Sequence, residues 1–161
     1  MQTFDFSFTV QASLSSVAEF HHDTSALRRL TPPPIFVQLH RIEPIAEGSL
    51  SEFTLWFGLL PIYWIAQHSG VDPQRGFTDT QIHGPMKRWV HTHFFSEEVP
   101  NATRIIEHIE YEHYEGARGI LSRLLFTPIG LRLMFCYRRF VTRRLLERAG
   151  EDVVREGKIP V

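Results

Sequence analysis

Two histidines one residue apart, His91 and His93, stand in the segment GPMKRWVHTHFF at 84–95. Imidazole changes charge near neutral pH, so such a pair suits proton transfer, metal ligation or hydrogen bonding to a bound molecule. On an extended chain residues i and i+2 share a face. Trp89, His91, His93 and Phe95 therefore form one row, and Arg88, Val90, Thr92 and Phe94 the other. Rings on both sides of the histidines point their row toward a covered surface. The preceding segment GFTDTQIH puts Phe77, Asp79, Gln81 and His83 on one face. The following TRIIEHIEYEHY aligns Thr103, Ile105, Glu107, Ile109 and Tyr111. If all three rows face the same way, Asp79 and Glu107 flank the imidazole pair. A carboxylate beside an imidazole fixes its tautomer and favours its charged form.

Three uses of this cluster compete. It can be a paired buried network that only holds strand register. It can line a cavity and orient the polar groups of an apolar ligand. It can bind a metal, with His68, His83 or Glu107 as a third ligand. No cysteine pair, His-Glu-x-x-His or acidic calcium loop accompanies it, so no metal and no cofactor is expected. Cys136 has no histidine beside it and no Gly-x-Ser-x-Gly is present; the cysteine reads as a small core residue. No residue pair is specific enough to assign catalysis.

The elements that must hold these rows follow from periodicity. Phe4, Phe6, Phe8 and Val10 alternate with Thr3, Asp5, Ser7 and Thr9, the pattern of a half-buried strand. Ser13 suits the N-cap of a short helix that buries Leu14, Val17 and Phe20. A second short helix, 24–30, ends at Pro32-Pro33-Pro34. From Ile35 to about Tyr111, six apolar alternating runs are separated by Pro, Gly and Asn turns, which predicts an antiparallel meander. Leu59-Leu60-Pro61 forms an apolar turn there, suited to a cavity lip or a weak homodimer contact, and Trp56 and Trp64 on its strands read as wall or core. From 119 to 149 the spacing changes to three and four, at Leu121, Leu124, Leu125, Met134, Tyr137, Val141 and Leu145. This predicts a helix that Pro128 and Gly130 kink and Gly150 ends. The expected organisation is one domain over 1–150 and a tail over 151–161.

Composition sets the remaining bounds. The chain has 161 residues, long enough for one domain that buries roughly two thirds of its unfolded surface. Its 17 basic and 18 acidic side chains nearly cancel, so no nucleic-acid partner is expected. Thirteen Phe suit a core or cavity walled with rings. One cysteine, no basic-then-apolar leader and no long apolar run predict a cytoplasmic chain without a membrane span. Residues 118–148 hold eight arginines against the single acid Glu147. This face either meets an anionic surface or pairs with the acids of the 107–115 segment; overall neutrality favours pairing.

Three stretches, FTVQASLSSVAEFHHDTSALRRLTPPP, GFTDTQIHGPMKRWVHTHFF and TRIIEHIEYEHYEGARG, resemble the polyketide cyclase/dehydrase and lipid-transport superfamily, also known as SRPBCC or START-like. The likeness runs from Phe4 to about Leu146, with Met86 where the pattern more often has Phe and Glu107 where it has Asp. It implies an α+β helix-grip fold: a curved seven-stranded antiparallel sheet wrapped around a long C-terminal helix, with two short helices after the first strand. It also implies binding or transport of a small hydrophobic ligand (lipid, polyketide or isoprenoid-like) between sheet and helix. Trp89, His91, His93, Phe95, Phe77, Asp79, Gln81, Glu107 and Tyr111 are the expected ligand-binding residues. The alternatives are a cyclase/dehydrase-type enzyme with His91 or His93 as general base, and an interaction module with a vestigial cavity.

Overall fold

The computed structural model describes residues 1–156. Strand β1 (Gln2–Val10) is followed by α1 (Leu14–His22) and α2 (Ala26–Leu30). Then come β2 (Ile35–Ile42), β3 (Leu50–Phe57), β4 (Leu60–Asp72), β5 (Gly76–His83), β6 (Arg88–Val99) and β7 (Ala102–Glu112). A 3-10 turn (Gly116–Gly119), α3 (Ile120–Leu125) and α4 (Pro128–Glu156) complete the order. The seven strands form one antiparallel sheet in the order β1-β7-β6-β5-β4-β3-β2, so β1 closes on β7 and the rest is a meander. This is the architecture that the alternation implies.

The sheet curves because its ladders are broken by irregularities between Leu39 and Arg41, Ile65 and Ala66, Ser69 and Asp72, and Glu97 and Val99. Each extra residue bends its strand and increases local twist. Gly76 sits at the start of β5 with φ 126, and a Cβ there would lie 1.9 Å from the carbonyl oxygen of His93. Only glycine lets β5 approach β6 this closely.

Ser13 caps α1 by accepting from the Ser16 amide at 3.2 Å. The buried side of α1 is Val17, Ala18 and His21 rather than Leu14, Val17 and Phe20. Helix α1 packs against β6 and β7, and that choice turns His21 inward. The break in the final helical region falls at Phe126-Thr127. Thr127 caps α4, its hydroxyl accepting from Gly130 N at 3.0 Å, and Pro128 takes the first helical position, where its missing N–H costs nothing. Gly150 does not end the helix, which runs through to Glu156. The last five residues of the expected tail, 157–161, lie outside the described residues.

The residues of α4 that meet the sheet are Leu131, Phe135 and Thr142. The expected seam of Met134, Tyr137 and Val141 is only half-buried, and Leu145 is exposed. Phe135 lies 5.3 Å from Phe4, 5.8 Å from Phe6 and 5.6 Å from His91, ring to ring, which clamps the helix to β1 and β6. Cys136 is half-buried rather than part of the core. A second core cluster under α1 joins Phe8, Val10, Val17, Phe77, Phe95 and Ile105.

Candidate functional site

Between the sheet, α2 and α4 lies a cavity of about 400 Å³. Its walls are largely apolar, with Phe53, Trp64 and Ala66 from the sheet, Leu30 from α2, and Leu131 and Met134 from α4. Phe77, Asp79, His68, His91 and His93 also line it, as do His21 and Arg138.

Strand register explains the polar cluster. Asp79 pairs with His68 on β4 and with His91 on β6, while His93 faces Phe77 on β5 and Glu107 on β7. Period-2 geometry then turns Trp89, His91, His93 and Phe95 together to the buried face, and all four are buried. The hydrogen bonds run diagonally rather than straight across. His91 Nε2–H donates to Glu107 Oε2 at 2.8 Å, and His93 Nε2–H donates to Asp79 Oδ2 at 3.2 Å. Diagonal neighbours on a sheet are within reach of long side chains. His93 Nδ1 also lies 2.8 Å from Glu107 Oε2, and His68 Nε2 lies 3.1 Å from Asp79 Oδ1. Ser49 and Ser51 hold His68 from behind at 2.9 and 3.2 Å.

The two adjacent imidazoles, 4.0 Å apart between ring centres, are driven to opposite protonation states. Burial alone would discharge His93, but the charge of Glu107 and the Asp79 hydrogen bond outweigh it and raise its pKa to about 9. Burial lowers His91 to about 4, the charged His93 adds to that, and the Glu107 hydrogen bond only partly offsets it. Burial opposes ionisation of Glu107 and Asp79, yet the imidazoles beside each hold both carboxyls below the ordinary range. His21 is lowered to about 4, chiefly by burial. Burial also lowers Arg138, against the pull of Glu107 and Asp79. Near neutral pH the cluster therefore holds two carboxylates, the His93 imidazolium and the Arg138 guanidinium, with His91 and His21 neutral.

The pairing is close but incomplete. Asp79 Oδ1, His93 Nδ1 and Arg138 Nε are buried and lack a protein partner at hydrogen-bond angles. Buried polar atoms seldom go without partners, so such a group at a cavity wall is a point where a bound molecule gains hydrogen bonds. Asp79, His91 and His93 also bring one ligating atom each within 4.8 Å of one another.

The expected ligand-binding residues divide. Phe77, Asp79, Trp89, His91 and His93 line the cavity, and Glu107 lies beside it as the carboxylate that positions both histidines. Gln81, Phe95 and Tyr111 do not line it. Gln81 instead braces the 84–86 turn, donating to Met86 O at 2.8 Å and accepting from Met86 N at 3.2 Å. Phe95 packs in the cluster beneath α1, against the His21 ring at 4.9 Å. Tyr111 packs against Trp89 at a tilt, 6.1 Å ring to ring. Gln81 lies beyond the last paired residues of β5 and β6, and α1 covers Phe95. Of the neighbouring tryptophans, Trp64 lines the cavity while Trp56 donates to Gln38 Oε1 at 3.1 Å away from it.

Sequence reasoning missed His21 and placed Arg138 on an outer solvated face. A signal for His21 existed in its spacing of four from Val17. Arg138 lies three residues from Phe135 and seven from Leu131, but α4 also has apolar residues on its opposite side, so spacing alone did not mark which side faces inward.

No family model and no curated protein sequence matches the chain. Solved structures do match, and they define a fold: the helix-grip arrangement of a curved antiparallel sheet around a long C-terminal helix. A protein of Chromobacterium violaceum superposes with a TM-score of 0.73 at 13% identity, covering 91% of this chain and 99% of its own. A START superfamily protein of Mycobacterium smegmatis gives 0.66 at 11%, covering 91% and 98%. Norcoclaurine synthase of Thalictrum flavum, in complex with dopamine and hydroxybenzaldehyde, gives 0.65 at 18%, covering 91% and 87%. At these identities the likeness is one of fold.

Proposed function

We propose that the chain binds a small hydrophobic molecule carrying a hydrogen-bonding group, of lipid, polyketide or isoprenoid kind, between sheet and α4. The observation that carries this is an open apolar cavity into which the sheet presents Asp79 and His93 and α4 presents Arg138, whose buried Nε has no hydrogen-bond partner. Its volume of about 400 Å³ falls within the ~300–1,000 Å³ range of small-molecule sites. Apolar walls supply affinity by burial, at about 25 cal/mol per Å² before losses. Arg138 and His93 suit an electron-rich oxygen, and Asp79 a donor. That norcoclaurine synthase, with the same fold, is in complex with two small aromatic molecules supports the reading by analogy.

The experiment is a titration with anilinonaphthalene sulfonate, an apolar aromatic with an anionic oxygen group, followed by tryptophan emission. Trp64 and Trp89 line the cavity, so saturable binding should quench them. Absence of saturable binding, together with native mass spectra free of any co-purified small molecule, would refute the proposal.

A second reading, proton-transfer catalysis of cyclase/dehydrase type, is favoured by the split of the imidazoles, because neighbouring groups driven to opposite states are suited to donor and acceptor roles. His93 would donate a proton; His91, lowered to about 4, is a weak base until a ligand changes its surroundings. His91→Gln and His93→Gln separate the two readings: a binder keeps most of its affinity, whereas an enzyme loses product formation from a bound compound. An interaction module with a vestigial cavity is disfavoured, because the space is open rather than filled.

A further inference from the structure

Helix α4 carries apolar residues on the side away from the core. Ile129 is 74% exposed, Leu133 66% and Phe140 59%, at spacings of four and seven that place them in one stripe. Half-buried Cys136 falls within the same stripe. Leu124 of α3, 71% exposed, and Ile120 add to this apolar surface. The stripe lies opposite Leu131, Phe135 and Thr142, the residues sunk into the core. Within 116–148 one 18-residue window has a mean hydropathy of 1.4, yet only 28% of it is buried. The window is apolar by composition but includes the break at Thr127, so it is not one continuous helix. A helix apolar on both faces needs a second apolar environment.

Charge indicates which environment. Arg132, Arg139 and Arg143 flank the stripe on one side and Arg144 on the other, all exposed, with Arg118 and Arg123 near α3. The expected pairing with the acidic strands is absent. Glu107, Glu110 and Glu112 are taken by His91, Arg88 and Lys87. Among the described residues no ion pair joins a 118–148 arginine to a carboxylate. Arg123 donates to the Tyr114 carbonyl, Arg143 to the Thr9 carbonyl, and Arg118 stacks 3.7 Å from the Tyr114 ring. The only acid of the segment, Glu147, accepts from the Gln11 amide.

We propose that the outer face of α3 and α4 docks on an anionic lipid bilayer, with α4 lying in the plane of the interface. An apolar stripe edged by arginines suits the boundary between acyl chains and anionic headgroups, where long cationic side chains reach outward. Crossing the bilayer is disfavoured, since Phe126, Leu131 and Phe135 are held in the core and the helical path breaks at Thr127. A two-fold dimer through this face would set the same arginines against each other, which disfavours a second copy as the occupant. Leu133 belongs both to the stripe and to the cavity lining, so docking would bring the cavity's edge to the lipid. The docking itself stands whether or not the cavity takes a ligand.

The test is co-sedimentation of the full chain with vesicles of phosphatidylcholine mixed with phosphatidylglycerol, against phosphatidylcholine alone. Binding should require phosphatidylglycerol and weaken as salt rises. The exposed-site variant Ile129→Ser/Phe140→Ser should weaken it about tenfold or more. Arg132→Glu/Arg144→Glu should weaken it at least about fivefold. Both variants should keep the parent melting temperature, because the changed side chains are exposed. Failure to bind mixed vesicles at low salt would overturn the proposal, as would binding indifferent to both variants. A concentration-dependent dimer in light scattering that Ile129→Ser/Phe140→Ser dissolves would also overturn it, because a second copy would then cover the stripe.

Discussion

Glu107 is the residue on which the polar cluster depends, because one of its oxygens faces both His91 and His93. Removing its charge leaves the buried His93 cation with only Asp79. Glu107→Ala is expected to lower the unfolding free energy by about 3–5 kcal/mol, the usual loss when one partner of a buried pair is deleted, read by urea denaturation. Nuclear magnetic resonance should show the His93 titration moving down from about 9 in Glu107→Gln. The pH dependence of stability has two arms. His93 is raised above its unfolded value of about 6.5, so its contribution is complete below that pH and lost as pH climbs through about 9. His91 and His21 are depressed, so their contribution is present above about 6.5 and lost as pH falls through about 4. Thermal melting across pH should therefore peak near 6–7; a melting temperature still climbing between 7 and 9 would contradict the assignment.

At the scale of elements, the site depends on where β5 meets β6 and on where α4 begins. Gly76→Ala drives a methyl into the His93 carbonyl and forces an L residue into an unfavourable φ. A loss of at least about 2–3 kcal/mol is expected in chemical denaturation, with altered signals for the adjacent His93. Thr127→Ala removes the hydroxyl that caps α4 and should cost about 1 kcal/mol. Phe126, Gly130 and Leu131 beside it line the cavity, so probe affinity should fall with it. If stability changes while affinity does not, α4's first turn does not shape the ligand space.

For the whole molecule, the separation of sheet and helix is what distinguishes a binding protein from a solid α+β domain. Adding carbon atoms to a filled core costs about 1–3 kcal/mol. Ala66 is buried but borders open volume. Ala66→Leu should therefore leave the melting temperature within a few degrees of the parent while greatly weakening anilinonaphthalene sulfonate. A large drop in stability would mean that the space at Ala66 is closed in solution.

Much of this architecture was legible in local order. Alternation in β1 and β5–β7, punctuation by Pro and Gly, and the change of period after Gly119 define a meander closed by a helix, because strand and helix periodicity are local properties of the backbone. The same period-2 rule put Trp89, His91, His93 and Phe95 on the buried face. What the linear order could not decide depends on distance across the fold. The 84–86 turn, α1 and Trp89 hold Gln81, Phe95 and Tyr111 off the cavity wall, while α1 and α4 deliver His21 and Arg138 to it. Because α4 carries apolar residues on two opposite sides, Leu131 and Phe135 on one and Ile129, Leu133 and Phe140 on the other, its inward face was chosen only by packing, Phe135 against Phe4 and Phe6. The opposite pKa shifts of His91 and His93 likewise exist only in the folded chain, where one carboxylate and one low-dielectric pocket act on both rings at once.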